Sequence, residues 1–280
     1  MKVALGPIQY YWPRNAVYEF YASIADAPVD IVYLGETVCT RRHELNHGDW
    51  LDVANALAAG GKEVVLSTQV LTEGEGDLKL VRRVVQNGRH RVEANDMGAV
   101  RMLAGADGWV AGPHLNIYNP QSLALLARLG AVRWVAPIEA TRELVTGVLS
   151  ECPIETELFA HGRLPLAYSA RCFTARRYNL QKESCEYRCL EHPDGMALKT
   201  REGEPFLVLN GIQTQSARVY SLLRELDSLR EAGVGIARVS PQSSGTVDVL
   251  KAIRDQTTTS LKIDSCDGFW HGKAGLERAA

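Results

Sequence analysis

Val64-Val65-Leu66-Ser67-Thr68 is followed by Asp77-Leu78-Lys79-Leu80-Val81-Arg82-Arg83-Val84-Val85, then by Asn87-Gly88, then by Arg91-Val92-Glu93-Ala94. The first run is short and apolar, as in a strand buried on both faces. The second repeats its apolar residues three and four apart, which predicts a helix, and Asn-Gly is a good helix stop. A strand, a helix, a stop and another strand make one βαβ unit.

The same alternation extends both ways. Strands are predicted at Val3–Pro7, Ile31–Gly35, Val64–Thr68, Arg91–Ala94, Gly108–Gly112, Arg133–Pro137, Glu155–Ala160 and Gly235–Val239. Asn119-Pro120 opens a further helix, with Asn as N-cap and Pro in the first turn. Another is predicted from Ser216 through Leu222, Leu223, Leu226 and Leu229 to Gly233. Eight strands with helices between them predict one α/β domain over residues 1–280, a (β/α)8 TIM-type barrel, regular or else incomplete or distorted. An open doubly wound sheet is the main rival, but Gly6-Pro7-Ile8-Gln9 is unlike the glycine-rich turn that would favour it.

Composition agrees with a globular chain of this size: 280 residues, 46% hydrophobic and 23% charged. A net charge of −2 offers no broad basic face for nucleic acid. The N-terminal apolar run breaks at Gly6-Pro7 and no apolar run of about 18 residues occurs, so a cytoplasmic protein without a membrane span is expected. Tyr10, Tyr11, Trp12 and Tyr18 read as core aromatics after the first strand.

Residues 163–204 are irregular, follow the seventh strand and hold three of the six cysteines. Met196–Thr200 and Phe206–Leu209 predict a hairpin within this insertion. Long loops of this kind are usually functional. Barrel sites form at the carboxyl ends of the strands. Cys39 follows the second strand there, and Cys172, Cys185 and Cys189 follow the seventh. Cys152 precedes a strand, at the opposite face, and Cys266 lies in the C-terminal tail. Four thiols on one face could hold zinc or an iron–sulfur cluster, or be small buried hydrophobes. The spacing Cys172-x12-Cys185-x3-Cys189 lacks the Cys-x2-Cys knuckle common in zinc sites. At the same face His114, Asn116, Glu139, His161 and Arg171 are candidates to contact a small acid or carry protons; satisfied polar groups at strand ends would look the same.

His43-Glu44-Leu45-Asn46-His47 matches the zinc-protease pattern H-E-x-x-H, which needs both histidines on one helical face. Gly48 follows at once and Asp49 reads as the N-cap of the next helix, so the motif is expected to precede that helix as a polar loop.

Three stretches carry a resemblance: Phe159-Ala160-His161-Gly162-Arg163-Leu164-Pro165-Leu166-Ala167-Tyr168-Ser169-Ala170-Arg171-Cys172, with Cys185-Glu186-Tyr187-Arg188-Cys189; Gly112-Pro113-His114-Leu115-Asn116; and Cys266-Asp267-Gly268-Phe269-Trp270-His271-Gly272. With these, the chain resembles the U32 peptidase/collagenase-like family, and within it the ubiquinone-biosynthesis branch. Leu164 and Pro165 stand where many peptidase-named members carry a cysteine. The resemblance implies a [4Fe-4S] cluster on Cys39, Cys172, Cys185 and Cys189. It also implies a heterodimer with a UbiU-like U32 partner, hydroxylating ubiquinone precursors without oxygen, with prephenate as oxygen donor. Relatives that hydroxylate RNA supply an alternative, and the family's historical name a second, a zinc-dependent peptidase.

Overall fold

A computed structural model describes residues 1–106, 108–257 and 264–279. Its strands are β1 (Lys2–Leu5), β2 (Ile31–Leu34), β3 (Glu63–Ser67), β4 (Arg91–Ala94), β5 (Trp109–Ala111), β6 (Ala131–Val135) and β7 (Glu155–Gly162). Then come β8 (Pro165–Tyr168), β9 (Met196–Lys199), β10 (Pro205–Asn210), β11 (Gln213–Ser216), β12 (Val219–Ser221), β13 (Ile236–Val239) and β14 (Ser265–Cys266). The helices are α1 (Arg14–Ala25), α2 (His47–Ala59), α3 (Glu75–Val85), α4 (Met97–Leu103) and α5 (Pro120–Arg128). After these follow α6 (Arg142–Glu151), α7 (Phe173–Arg177), α8 (Leu226–Glu231) and α9 (Thr246–Arg254).

Strands β1 to β7 pair in parallel in chain order, and β13 pairs in parallel with both β1 and β7. That double pairing closes the barrel, and all eight predicted strands are its staves. The open-sheet rival is excluded by it. Strand parity then decides what lies inside. Ala4, Ile31, Tyr33, Val65, Val110, Val135 and Ile236 pack together within the barrel. Their neighbours, such as Val32, Leu34, Leu66, Val92 and Trp134, pack outward into two larger clusters under the helices. Tyr10, Tyr11 and Trp12 are buried, in the loop before α1 rather than in a helix, while Tyr18 in α1 is half-buried.

Between β7 and β13 the chain builds a second, antiparallel sheet in the order β8-β11-β10-β9. The predicted hairpin is its β9–β10 pair, with Met196 opposite Leu209 and Leu198 opposite Leu207. The sheet continues past residue 204, where the irregular segment was expected to end.

The helix expected from Ser216 to Gly233 is a correction: only Leu226–Glu231 is helical, and the residues before it form β11 and β12. The leucine spacing mimics a helix, but Leu222 packs into one outer cluster and Leu223 into the other. β12 ends at Ser221, and a turn at Leu223 and Arg224, closed by the Glu225 N–H on the Leu222 carbonyl, redirects the chain before α8. Leu222 N–H is taken by the Ala160 carbonyl at 2.8 Å. Among the described residues no helix is long and apolar enough to cross a membrane.

Candidate metal centre and barrel mouth

Gly35 ends β2 at φ +124, where a Cβ would stand 2.8 Å from the Ser67 carbonyl oxygen. Only glycine lets the chain leave β2 this close to β3. The loop that follows is organised by Glu36, whose Oε1 accepts the N–H of Val38 at 2.9 Å and of Cys39 at 3.0 Å. Cys39 is thereby buried against Val38 and Ile212, with Cys172 and Tyr168 packed beside it.

Cys172 caps α7 and its Sγ accepts the Ala175 N–H at 3.4 Å. Phe173 N–H donates to the Gly211 carbonyl at 2.7 Å, tying this turn to the β10–β11 corner. Cys185 and Cys189 are separated by Glu186 at φ 50 and Tyr187 at φ 53. Left-handed conformations cost a non-glycine residue on the order of 1–3 kcal/mol. They are held here by packing, since the Tyr187 ring meets His43 edge-on at 4.7 Å and Tyr11 at 6.2 Å. The double turn brings Cys185 and Cys189 to the same cavity as the other two.

That cavity is lined by Cys39, Cys172, Cys185 and Cys189 together with Arg41, Arg42, Lys182 and Arg188. Among the described residues no carboxylate lines it. Burial pushes the Cys189 thiol up to about 11 and raises Cys39, with Arg42 pulling both the other way. Cys39 and Cys189 are therefore held towards the protonated thiol, and a metal binding there must displace those protons.

Four thiols around one cavity are a donor set that either zinc or an iron–sulfur cluster accepts. Among the described residues no three His, Cys, Asp or Glu side chains are grouped so as to hold a single metal ion. A tetrahedral zinc would draw its sulfurs to about 3.8 Å from one another, given Zn–S near 2.3 Å. The four cysteines line one space, and thiolates bound to an iron–sulfur cluster stand further apart than those on one ion. The Nε–H groups of Arg41, Arg42 and Arg188 are buried without a hydrogen-bond partner, and all three residues line this space. These N–H groups can donate to thiolate sulfur, while Arg42, Lys182 and Arg188 also carry ion pairs to Glu36, to Glu73, and to Glu186 and Glu191. Cys152 caps the C-terminus of α6, and Cys266 is buried in β14 with its Sγ 3.6 Å from the Val219 carbonyl oxygen. Neither lines the cavity.

A second cavity lies at the barrel mouth and is lined by Gln9, Thr37, Glu93, Asn95, His114, Phe159, Arg238 and Ser240 among others. Its floor is a column of charge that sequence reasoning missed. Arg238 donates to Glu157 at 2.5 Å and Glu93 at 2.7 Å, and its guanidinium lies 4.0 Å from the centre of the Tyr33 ring. The Tyr33 hydroxyl donates to Glu157 at 2.6 Å and accepts from Arg133 at 3.1 Å. Arg133 reaches Glu155 at 2.8 Å and Glu63 at 2.9 Å towards the other end. Burial alone would raise the Glu93 carboxyl, but Arg238, Ser67 and Asn95 outweigh it and hold it below its ordinary value. The available signal was one charged residue inside each short strand: Glu93 in β4, Arg133 in β6, Glu157 in β7 and Arg238 in β13.

The two cavities are wired together. Arg42 donates to the Gln9 carbonyl at 2.6 Å and to Asn210 Oδ1 at 2.7 Å. The Gln9 side chain accepts from Gln213 at 2.6 Å, and Gln213 also donates to the Tyr168 hydroxyl at 2.6 Å. That hydroxyl lies 3.5 Å from His114 Nε2. These amides stand alone in polar or apolar stretches of sequence and nothing local marks them.

Of the five residues expected at the mouth, His114 alone lines it. Burial, reinforced by Arg238 and opposed by Glu93, lowers its pKa to about 4, so the imidazole is neutral near pH 7. Asn116 is exposed in a left-handed turn at φ 55, a role asparagine fills for backbone reasons. Glu139 is exposed and accepts the Tyr118 hydroxyl at 2.8 Å. His161 is buried, 3.2 Å from Ser221 Oγ where β7 meets β12, and burial lowers it to about 4. Arg171 is exposed outside the cysteine cavity.

The H-E-x-x-H stretch precedes α2 except for His47, which opens it. The N-cap is Asn46 rather than Asp49: Asn46 Oδ1 accepts from Gly48 and Asp49, and Asp49 answers to the Asn46 N–H. His43 stays outside the helix, so the two histidines do not share a helical face.

Solved structures with similar architecture include a U32 peptidase at 14% identity, TM-score 0.49, over 88% of this chain and 94% of that one. The spore cortex-lytic enzyme SleL of Bacillus megaterium is similar at 9% identity, TM-score 0.46, over 91% of this chain and 74% of that one. A chain of the tryptophan synthase complex from Pyrococcus furiosus is similar at 9% identity, TM-score 0.43, over 93% and 94%. A family model described as peptidase family U32 matches residues 15–265, and the chain belongs to that family.

Proposed function

We propose that this chain is the iron–sulfur subunit of an oxygen-independent hydroxylase, similar to UbiV. In this reading it acts in the cytoplasm on ubiquinone precursors with a UbiU-like U32 partner, and prephenate supplies the oxygen. The observation that carries the reading is the cavity ringed by Cys39, Cys172, Cys185 and Cys189 and faced by arginines rather than carboxylates. The sequence stretches similar to the ubiquinone-biosynthesis branch supply the rest.

The four cysteines would hold a [4Fe-4S] cluster, which supplies one-electron or Lewis-acid chemistry when bound. Arg42, buried beside Cys39 and Cys189, offsets the negative charge of the thiolates. The neutral His114 imidazole can take or give a proton at the mouth cavity. Arg238, charged and held by two carboxylates, stays fixed in the floor. The chain Arg42–Gln9–Gln213–Tyr168 holds the cluster loop in register with that mouth.

Anaerobic purification with the partner, followed by iron and sulfide analysis, tests this. A brown protein with about four iron and four sulfide per chain is expected from a cubane on four thiolates. A colourless, zinc-loaded protein would revive the peptidase reading. A salt-dependent RNA affinity would favour an RNA-directed hydroxylase at the same site.

A further inference from the structure

A larger crevice, of about 240 Å³, opens between α2 and α3, over the outer faces of β2 and β3. Leu34 and Leu66 form its floor, and Trp50, Leu80, Val81 and Val84 form apolar walls from the two helices. Small-molecule sites are mostly apolar with a few placed polar groups, and this lining has that character.

Its polar groups are unevenly spent. Gln69 is 7% exposed and lines the crevice, yet its Oε1 has no hydrogen-bond partner among the described residues. Leaving a buried donor or acceptor unpaired costs about 1–3 kcal/mol. A ligand with polar atoms would recover that.

The charge of the lining is one-sided. Among the described residues Glu36 is its single carboxylate, and Arg42 engages it at 3.5 Å. Arg83 and His47 both line it and lie close together, so that burial first and the Arg83 charge second lower the His47 pKa. Arg83 has no ion-pair or hydrogen-bond partner among the described residues. Two nitrogen bases without an acid, beside an apolar slot, complement an anion carrying a hydrocarbon body.

We propose that the crevice between α2 and α3 is a binding site for a small amphipathic organic anion. Its apolar or aromatic body lies against Leu66, Leu80 and Val84, and its carboxylate or sulfonate meets Arg83 and His47. The inference does not depend on a cluster at the cysteines, and its test requires none.

Titration of the purified protein with anilinonaphthalene sulfonate reads the site by fluorescence. Saturable, one-to-one enhancement is expected. Arg83→Glu, an exposed substitution, weakens it at least about tenfold, whereas Arg83→Lys retains it. Leu80→Trp fills the slot and abolishes it, with circular dichroism confirming that each variant is folded. Non-saturating enhancement, or equal affinity in Arg83→Glu and the parent protein, overturns the proposal.

Discussion

Arg42 Nη1 lies 2.6 Å from the carbonyl oxygen of Gln9, which joins a residue lining the cysteine cavity to one lining the barrel mouth. The guanidinium is 2% exposed and also engages Glu36 and Asn210. Arg42→Gln should therefore do two things at once. Stability should fall by about 3 kcal/mol, because Glu36 and two buried acceptors lose their cation. Urea denaturation measures that, and iron retention in the same preparation should fall with it. A variant as stable as the parent would show that Arg42 is not what holds the loop.

The barrel column gives a second expectation. Glu157→Gln leaves Arg238 with Glu93 as its remaining charged partner in the barrel floor and should cost about 3–5 kcal/mol. Combining it with Arg238→Met should cost less than the sum of the two, since the second change removes the stranded charge. Additive losses in the double-mutant cycle would contradict the pairing.

His114 and His161 each have a folded-state pKa of about 4, below the ordinary value of 6.5. The unfolded chain binds more protons than the folded one between those values, so stability rises with pH across that window. Acidification from pH 6.5 towards 4 should lower the unfolding free energy by about 2–3 kcal/mol per histidine. Denaturation at a series of pH values checks it, and His161→Gln should flatten part of the slope.

Replacing Cys39, Cys172, Cys185 or Cys189 by alanine should lower iron content and expose the segment from Lys182 to Glu191 to protease, because ligand bonds would organise it. Cys152→Ala and Cys266→Ala should leave iron unchanged. Iron loss in either of those two would overturn the ligand assignment.

Much of the architecture was legible in the linear chain. Eight short apolar runs mapped to eight staves, and the β9–β10 hairpin lay where turn chemistry placed it. Strand-end reasoning placed Cys39 on the same face as Cys172, Cys185 and Cys189, and the structure brings them to one cavity. The leucine spacing after Ser216 misled, because a strand end and a turn that send Leu222 and Leu223 to different clusters leave the same apolar pattern as a helix. Asn116 and Glu139 were drawn to the mouth by the same strand-end rule, yet backbone conformation and Tyr118 account for them.

Local periodicity determined the order and kind of the elements, since hydrophobic spacing is a property of neighbouring residues. Tertiary structure alone decided which polar groups are satisfied inside. Glu157 meets Arg238 from 81 residues away, and Gln9 meets Asn210 from 201 residues away. A buried charge or amide is stable only where its partner arrives, and that arrival depends on closure of the barrel rather than on any nearby residue.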